Sequence, residues 1–195
     1  AVAHAMLPSF LAGGAVHRGS EDDAAAIIFT SGSEGAPKPV VLTHRNIAFE
    51  VDAMVDVFSV HENDAMLANL PFFHVFGLTV NLWIPAMRGL TVATHVTPLD
   101  YSGICRTIRD ERVTIMAATP AFWWGYLRAS RVGDFATLRI AVAGADKCPE
   151  ALRAECFEQH GVVLREGYGA TETSPVISAN IAVSYTHLTL PTKRI

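Results

Sequence analysis

The sequence predicts an α/β fold, a mainly parallel sheet with helices on both faces. Three observations carry that expectation. Short apolar runs of strand length alternate with stretches of helical periodicity. Half of the 195 residues are apolar and 17% are charged; about a quarter is usual for charged residues, and strands buried on both faces explain such a shortfall. Three distinctive stretches, two of them glycine-rich and the third 144-GADK-147, follow predicted strands, at the carboxyl ends where open α/β sheets bind ligands.

Taken in order, residues 24–29 form a short apolar run that leads into a Gly/Ser loop. Thr43 is placed to cap a helix reaching about Ser59, with Ile47, Val51, Met54, Val55 and Phe58 on one face. Residues 65–70 read as a strand, and 75–87 as a buried helix whose end Pro85 disturbs. A strand at 90–95, an amphipathic helix at 101–112 and a strand at 113–118 follow. A helix over 122–129 comes after Pro120, then a strand over 138–143. Pro149 suits the first turn of a helix ending at His160, and a last strand spans 162–166. Such repetition implies right-handed crossovers between parallel strands. The domain reading is one partial domain over 1–183, with 184–195 a Thr-rich, basic tail of unclear or foreign origin that joins no element.

The net charge of −4 offers no basic field for a nucleic acid. Cys105, Cys148 and Cys156 lie in no metal-ligand spacing, so buried or idle thiols in a reducing, cytoplasmic setting are expected. No run of about eighteen apolar residues spans a membrane. The opening AVAHAMLPSFLAGG has no basic flank and reads as the end of a helix rather than a signal peptide.

The stretch 29-FTSGSEGAPKPVVLTHRNI-47 has the chemistry of a phosphate loop. Glycines free backbone N–H groups to point inward and let oxygen atoms approach. Hydroxyls of Thr30, Ser31 and Ser33 add neutral donors, and Lys38 adds a charge. The Walker pattern needs GxxxxGK[ST] opening a helix; here Lys38 stands between Pro37 and Pro39, so that class is excluded. A plain turn between strand and helix is the alternative. Asp22 and Asp23 read as a solvated face.

With 71-PFFHVFG-77 and the intact 167-GYGATE-172, the loop resembles the motif set of the adenylate-forming superfamily of acyl-CoA synthetases, luciferases and peptide-synthetase adenylation domains. Glu34 and Pro39 depart from the general loop pattern. FTSGSEG, LPFFHVFGLTV, AVAGADK and EGYGATETSPVISAN are most similar to long-chain fatty acid ligases that load acyl carrier protein, including the ligase half of bifunctional synthetase–phospholipid acyltransferases, where SEG is usual. Pro39 remains a departure there too.

The resemblance implies the partial N-terminal domain of that fold, with ATP and Mg²⁺ as cofactors. Thr30, Ser31, Gly32, Ser33, Gly35 and Lys38 would hold the β- and γ-phosphates of ATP. Thr171 would contact the α-phosphate, Glu172 would hold Mg²⁺, and Tyr168 would lie against adenine. Gly144, Ala145, Gly167 and Gly169 would supply the backbone around the nucleotide. His74 would stand where the carboxylate is activated, although a histidine among apolar residues is also a common core residue. Val75, Phe76, Gly77 and the 122–124 aromatic cluster would line an acyl tunnel or be plain core.

The implied reaction joins a fatty acid to the α-phosphate of ATP, then passes the acyl group to a thiol of acyl carrier protein or CoA. Family members are much longer, so the resemblance implies an internal piece of a ligase, inactive alone, with membrane association only through other parts. The rival expectations are an acyl- or aryl-CoA ligase for another acid, and a noncatalytic nucleotide- or acyl-binding module.

Overall fold

The structure, a computed structural model, describes residues 19–30 and 36–181 and the backbone of 192–194. Ser31, Gly32, Ser33, Glu34 and Gly35 of the loop lie outside the described residues, as do 1–18 with the helix-end reading and most of the tail.

β1 (Ala24–Thr30) does not lead through the loop into a helix, as the sequence reading has it. The chain returns as β2 (Lys38–Thr43), antiparallel to β1, with Thr30 opposite Lys38 and Phe29 opposite Pro39. The cause is local: Val40, Val41 and Thr43 are β-branched and favour extended backbone. Pro39, which cannot donate to a ladder, is tolerated in a strand of so small a sheet. Thr43 then caps α1 (His44–Phe58) as expected: its Oγ1 accepts the Asn46 N–H at 3.2 Å, while Asn46 Oδ1 accepts the Thr43 N–H at 3.0 Å.

A second sheet has the order β4-β3-β5-β6-β7-β8-β9. β3 (Ala65–Ala68), β4 (Thr91–Thr94), β5 (Ile115–Ala118), β6 (Ile140–Ala143) and β7 (Leu164–Gly169) are parallel to one another. β8 (Val176–Asn180) and β9 (Thr192–Arg194) run antiparallel at one end. β9 lies within the tail that the sequence reading left without an element.

Between β3 and β4 the helical stretch is α2 (Val75–Gly77), a π-helical segment Leu78–Trp83, and α3 (Ile84–Arg88). The expected single helix is thus widened in its middle. Pro85 has no N–H to bond the carbonyl four residues back, which favours the altered ladder there. α4 (Tyr101–Asp110), α5 (Pro120–Ala129) and α6 (Glu150–His160) complete the alternation. Thr119 caps α5, and Pro149 stands at the cap of α6, one place before its first turn.

Period-two alternation along the strands divides the core in two. Ile115 and Ala117 of β5 and Ile140 and Val142 of β6 face α1, the π segment and the hairpin. Met116, Ala118, Ala141 and Ala143 face α4, α5 and α6, around Trp123, Tyr126 and Phe135. Helices therefore cover both faces. One polar group is built deep into this frame: Asp64, beside β3, takes Thr114 Oγ1 at 2.7 Å, the His61 N–H at 2.9 Å and the Arg139 guanidinium. Burial would raise its carboxyl, but the Arg139, His61 and Thr114 bonds outweigh that and hold it below the usual range.

Candidate functional site

The carboxyl ends of β6 and β7 open onto a cleft of about 200 Å³. Its deep part is apolar, formed by Met54 and Phe58 of α1, Met66 of β3, Ile84, Ile115 and Ile140. Its mouth gathers seven of the residues singled out from the sequence: His74, Gly144, Ala145, Gly167, Tyr168, Gly169 and Thr171.

Each is placed by an identifiable local cause. β6 ends at Ala143, and the Gly144 N–H donates to Ala118 O at 3.1 Å, which ties the turn to β5. A Cβ on Gly144 would stand 3.0 Å from the Phe76 ring, so glycine lets that ring close the cleft wall. Ala145 has φ of +66°, a costly conformation for a residue with a Cβ and one that tends to mark functional turns. β7 carries Gly167 and Tyr168 outward. Tyr168 is 66% exposed, a large aromatic face left uncovered beside an apolar cleft. Such exposure means that the ring is not part of the core. His74 caps α2; its Nδ1 accepts the Phe76 N–H at 3.2 Å, leaving the Nε2 edge for a ligand. Gly77 is needed beneath it, since a Cβ would lie 2.3 Å from Pro71 O.

After Gly169 the chain makes a 3₁₀ turn, Thr171–Thr173. Pro175 O accepts the Ala170 N–H at 2.8 Å, and Thr173 Oγ1 stands 2.7 Å from the same oxygen. Thr171 lines the cleft, whereas Glu172 does not. Glu172 is exposed and lies in an adjoining recess with Arg45, Asn46, Glu50, Thr173 and Ser174. Thr30 and Lys38 face each other across the hairpin, Thr30 Oγ1 donating to Lys38 O at 3.4 Å, and neither lines the cleft. β2 packs beside the Thr171–Thr173 turn, so the hairpin and this turn are neighbours.

Val75 and Phe76 do line the cleft. The 122–124 aromatics do not: Trp123 is fully buried in the other core and donates Nε1–H to Val142 O at 2.9 Å. Asp22 is exposed and paired with Arg45, whose hydrogen bond and charge hold its carboxyl below the usual range. Burial pushes the thiols of Cys105 and Cys156 up to about 12 and that of Cys148 up to about 11, so none is a nucleophile. Among the described residues no group of three His, Cys, Asp or Glu side chains could hold a metal. The arrangement can receive a hydrocarbon in its depth and a planar ring against Tyr168. It can present backbone groups and the Thr171 hydroxyl between them, which is positioning rather than covalent chemistry.

Sequence reasoning missed two residues bordering this site, Glu50 and Thr79. Glu50 is 2% exposed, accepts the Val176 N–H at 3.1 Å on Oε1, and is pushed up to about 7 by burial, against the pull of that bond. The signal was legible: Glu50 follows Ile47 by three residues and so falls on the apolar face of α1. Thr79, whose Oγ1 donates to Ser174 O at 3.2 Å, carried no comparable signal.

Known proteins resemble the chain in sequence and in fold. A family model described as AMP-binding enzyme matches residues 6–193. The long-chain-fatty-acid–CoA ligase of Thermus thermophilus is 35% identical over 174 residues, covering 85% of this chain and 31% of that protein. The 2-succinylbenzoate–CoA ligase of Bacillus licheniformis is 34% identical over 164 residues, covering 84% and 33%. ATP-bound MatB from Rhodopseudomonas palustris superposes with a TM-score of 0.76 at 26% identity, over 87% of this chain and 33% of that one. O-succinylbenzoate coenzyme A synthetase (MenE) from Bacillus subtilis, in complex with ATP and magnesium ion, gives 0.76 at 29%, over 82% and 33%. The chain spans about a third of the length of the curated relatives it matches.

Proposed function

The chain belongs to the AMP-binding enzyme family, and on that premise we propose that it carries the nucleotide- and acid-binding cleft of an adenylate-forming acid–thiol ligase. One observation supports this above the others: His74, Gly144, Ala145, Gly167, Tyr168, Gly169 and Thr171, separated by almost a hundred residues of sequence, meet at one apolar cleft.

In this reading a carboxylate oxygen of the acid attacks the α-phosphorus of ATP. A P–O bond forms, the bond to the β-phosphate oxygen breaks, and pyrophosphate leaves. A thiol sulfur then attacks the acyl carbon of the acyl-adenylate and AMP leaves. Tyr168 holds the adenine face and the Gly144–Ala145 backbone borders it. Thr171 orients the α-phosphate, and His74 holds the acid's carboxylate at the cleft mouth. Ser31, Gly32, Ser33 and Gly35, with Thr30 and Lys38, hold the outer phosphates. Glu172 would hold Mg²⁺ from the adjoining recess, which Glu50 and Arg45 also line, its carboxylate being the kind of oxygen ligand a hard cation accepts. Mg²⁺ held there would offset phosphate charge when bound.

The apolar depth of the cleft favours an apolar acid, with a fatty acid the first choice. Relatives named 4-coumarate–CoA and 2-succinylbenzoate–CoA ligases make aromatic acids the second. The relatives are CoA ligases by name, so we propose CoA before acyl carrier protein, which rests on the motif resemblance alone.

Titration calorimetry of the chain with ATP and Mg²⁺ tests the reading. Saturable binding is expected, weakened about tenfold in Tyr168→Ala by loss of a stacking face. Pyrophosphate exchange with fatty and aromatic acids then ranks the substrates. Absence of any ATP binding overturns the proposal. Binding without exchange in a full-length relative of matching sequence favours a noncatalytic binding module instead.

A further inference from the structure

Glu50 and Thr79 reach the same turn, residues 170–176, from different elements. Thr79 stands in the first turn of the π segment and is 1% exposed; Glu50 stands on α1 and is 2% exposed. Thr79 Oγ1 donates to Ser174 O at 3.2 Å, across 95 residues of sequence. Glu50 Oε1 accepts the Val176 N–H at 3.1 Å, across 126 residues. The two bonds bracket Pro175, whose own carbonyl accepts the Ala170 N–H at 2.8 Å. Three successive residues thus have a backbone group held, and the first of them, Ser174, is in the left-handed region with φ of +71°. A bracketed, strained segment of this kind stays in place only while its surroundings impose it.

We propose that Thr79 and Glu50 are positioning residues that clamp the 170–176 turn from two sides, and so set where Thr171 stands in the cleft and Glu172 in its recess. The clamp acts through the turn. Neither residue faces the cleft mouth, and Glu50 lies with Glu172 in the adjoining recess. Arg45, the cation of that recess, is engaged by Asp22 and Glu21 instead of Glu50. A carboxyl group is a costly filler for a buried position; a leucine would pack there without a desolvation cost. Its retention against the Val176 N–H is explained by the bond it makes. The ligand side of this inference rests on the nucleotide reading above.

Two measurements on the full chain test it: amide hydrogen exchange over 170–176 without nucleotide, and Mg·ATP affinity by calorimetry. Thr79→Val and Glu50→Ala are expected to speed exchange of those amides, Val176 above all, and to weaken Mg·ATP about tenfold, the size of one buried hydrogen bond. Thr79→Ser and Glu50→Gln, which keep a donor and an acceptor, are expected to restore both. Exchange that is unchanged, or that rises equally throughout the chain, overturns the clamp. So does unchanged affinity in a variant whose turn has loosened. If Glu50→Ala does not fold, Thr79→Val and its serine rescue decide alone. A wild-type chain that binds no Mg·ATP, yet shows the local exchange changes, overturns the proposed function and supports the clamp.

Discussion

A Cβ at position 169 would lie 1.8 Å from Pro175 O and 2.8 Å from its carbonyl carbon, both backbone atoms that cannot step aside. Gly169→Ala is therefore expected to displace the 170–176 turn and lower unfolding free energy by about 1–3 kcal/mol, the usual cost of forcing an added methyl into packed surroundings, read by urea denaturation. Glu50 gives the residue scale its pH dependence. Its carboxyl titrates near 4.5 when free and at about 7 in the fold. Below 4.5 both states are protonated. Between the two values the folded chain keeps a proton that the unfolded chain has lost, so stability falls as pH rises through that window and levels off above 7. The loss is at most on the order of 3 kcal/mol. Glu50→Gln, neutral throughout, should abolish this slope in denaturation midpoints measured from pH 4 to 8; a slope equal to that of the wild type would mean the titrating group is another.

At the scale of elements, the π segment between β3 and β4 is held from within. Asn81 is buried; its Nδ2 donates to Leu67 O at 2.8 Å and its Oδ1 accepts the Leu70 N–H at 3.0 Å. It joins the widened helix to the end of β3, from which the chain runs to His74. Asn81→Ala strands two interior backbone groups and should cost about 2–4 kcal/mol; Asn81→Asp, which sets a buried carboxyl oxygen against Leu67 O, should cost at least as much. Chemical denaturation of the three proteins checks the order. This segment also shows where sequence reading stops. Residues 75–87 are apolar with helical character, so the helix was legible, but its π register depends on Pro85 and on a tertiary bond from Asn81. β2 was hidden for another reason: the glycines and hydroxyls before it suggested a loop running straight into a helix, while Val40, Val41 and Thr43 formed a strand against β1. By contrast Thr43 and the apolar strands announced their elements, because caps and buried parallel strands are written in local residue choice. The cleft was legible through GYGATE and PFFHVFG, whose partners converge in space. Glu50 was legible as an acid on the apolar face of α1, but its partner Val176 lies 126 residues away; Thr79 bonds Ser174 O across 95 residues and left no comparable local trace.

Over the whole molecule, the exposed large apolar side chains include a group on the hairpin. The outer face of the hairpin carries Ile27, Phe29 and Val41, with Phe29 66% exposed, while Ile28 and Leu42 on the opposite face join the core. Ile27 stands directly opposite Val41, and Phe29 opposite Pro39, so the exposed side chains form one continuous patch. Apolar patches of this kind ordinarily face a partner surface, and a two-stranded ribbon adds unpaired strand edges to the hazard. The chain is therefore expected to bind a hydrophobic dye in its native state and to self-associate as concentration rises. Ile27→Thr with Phe29→Thr keeps β-favouring side chains and removes the patch. The double variant should bind less dye and sediment as a smaller species at the same concentration, with its melting temperature little changed, because neither side chain is part of the core. Equal dye binding and equal sedimentation in the two proteins would place the sticky surface elsewhere. A large fall in melting temperature would mean that Ile27 and Phe29 are packed in solution, and that the hairpin's outer face is covered.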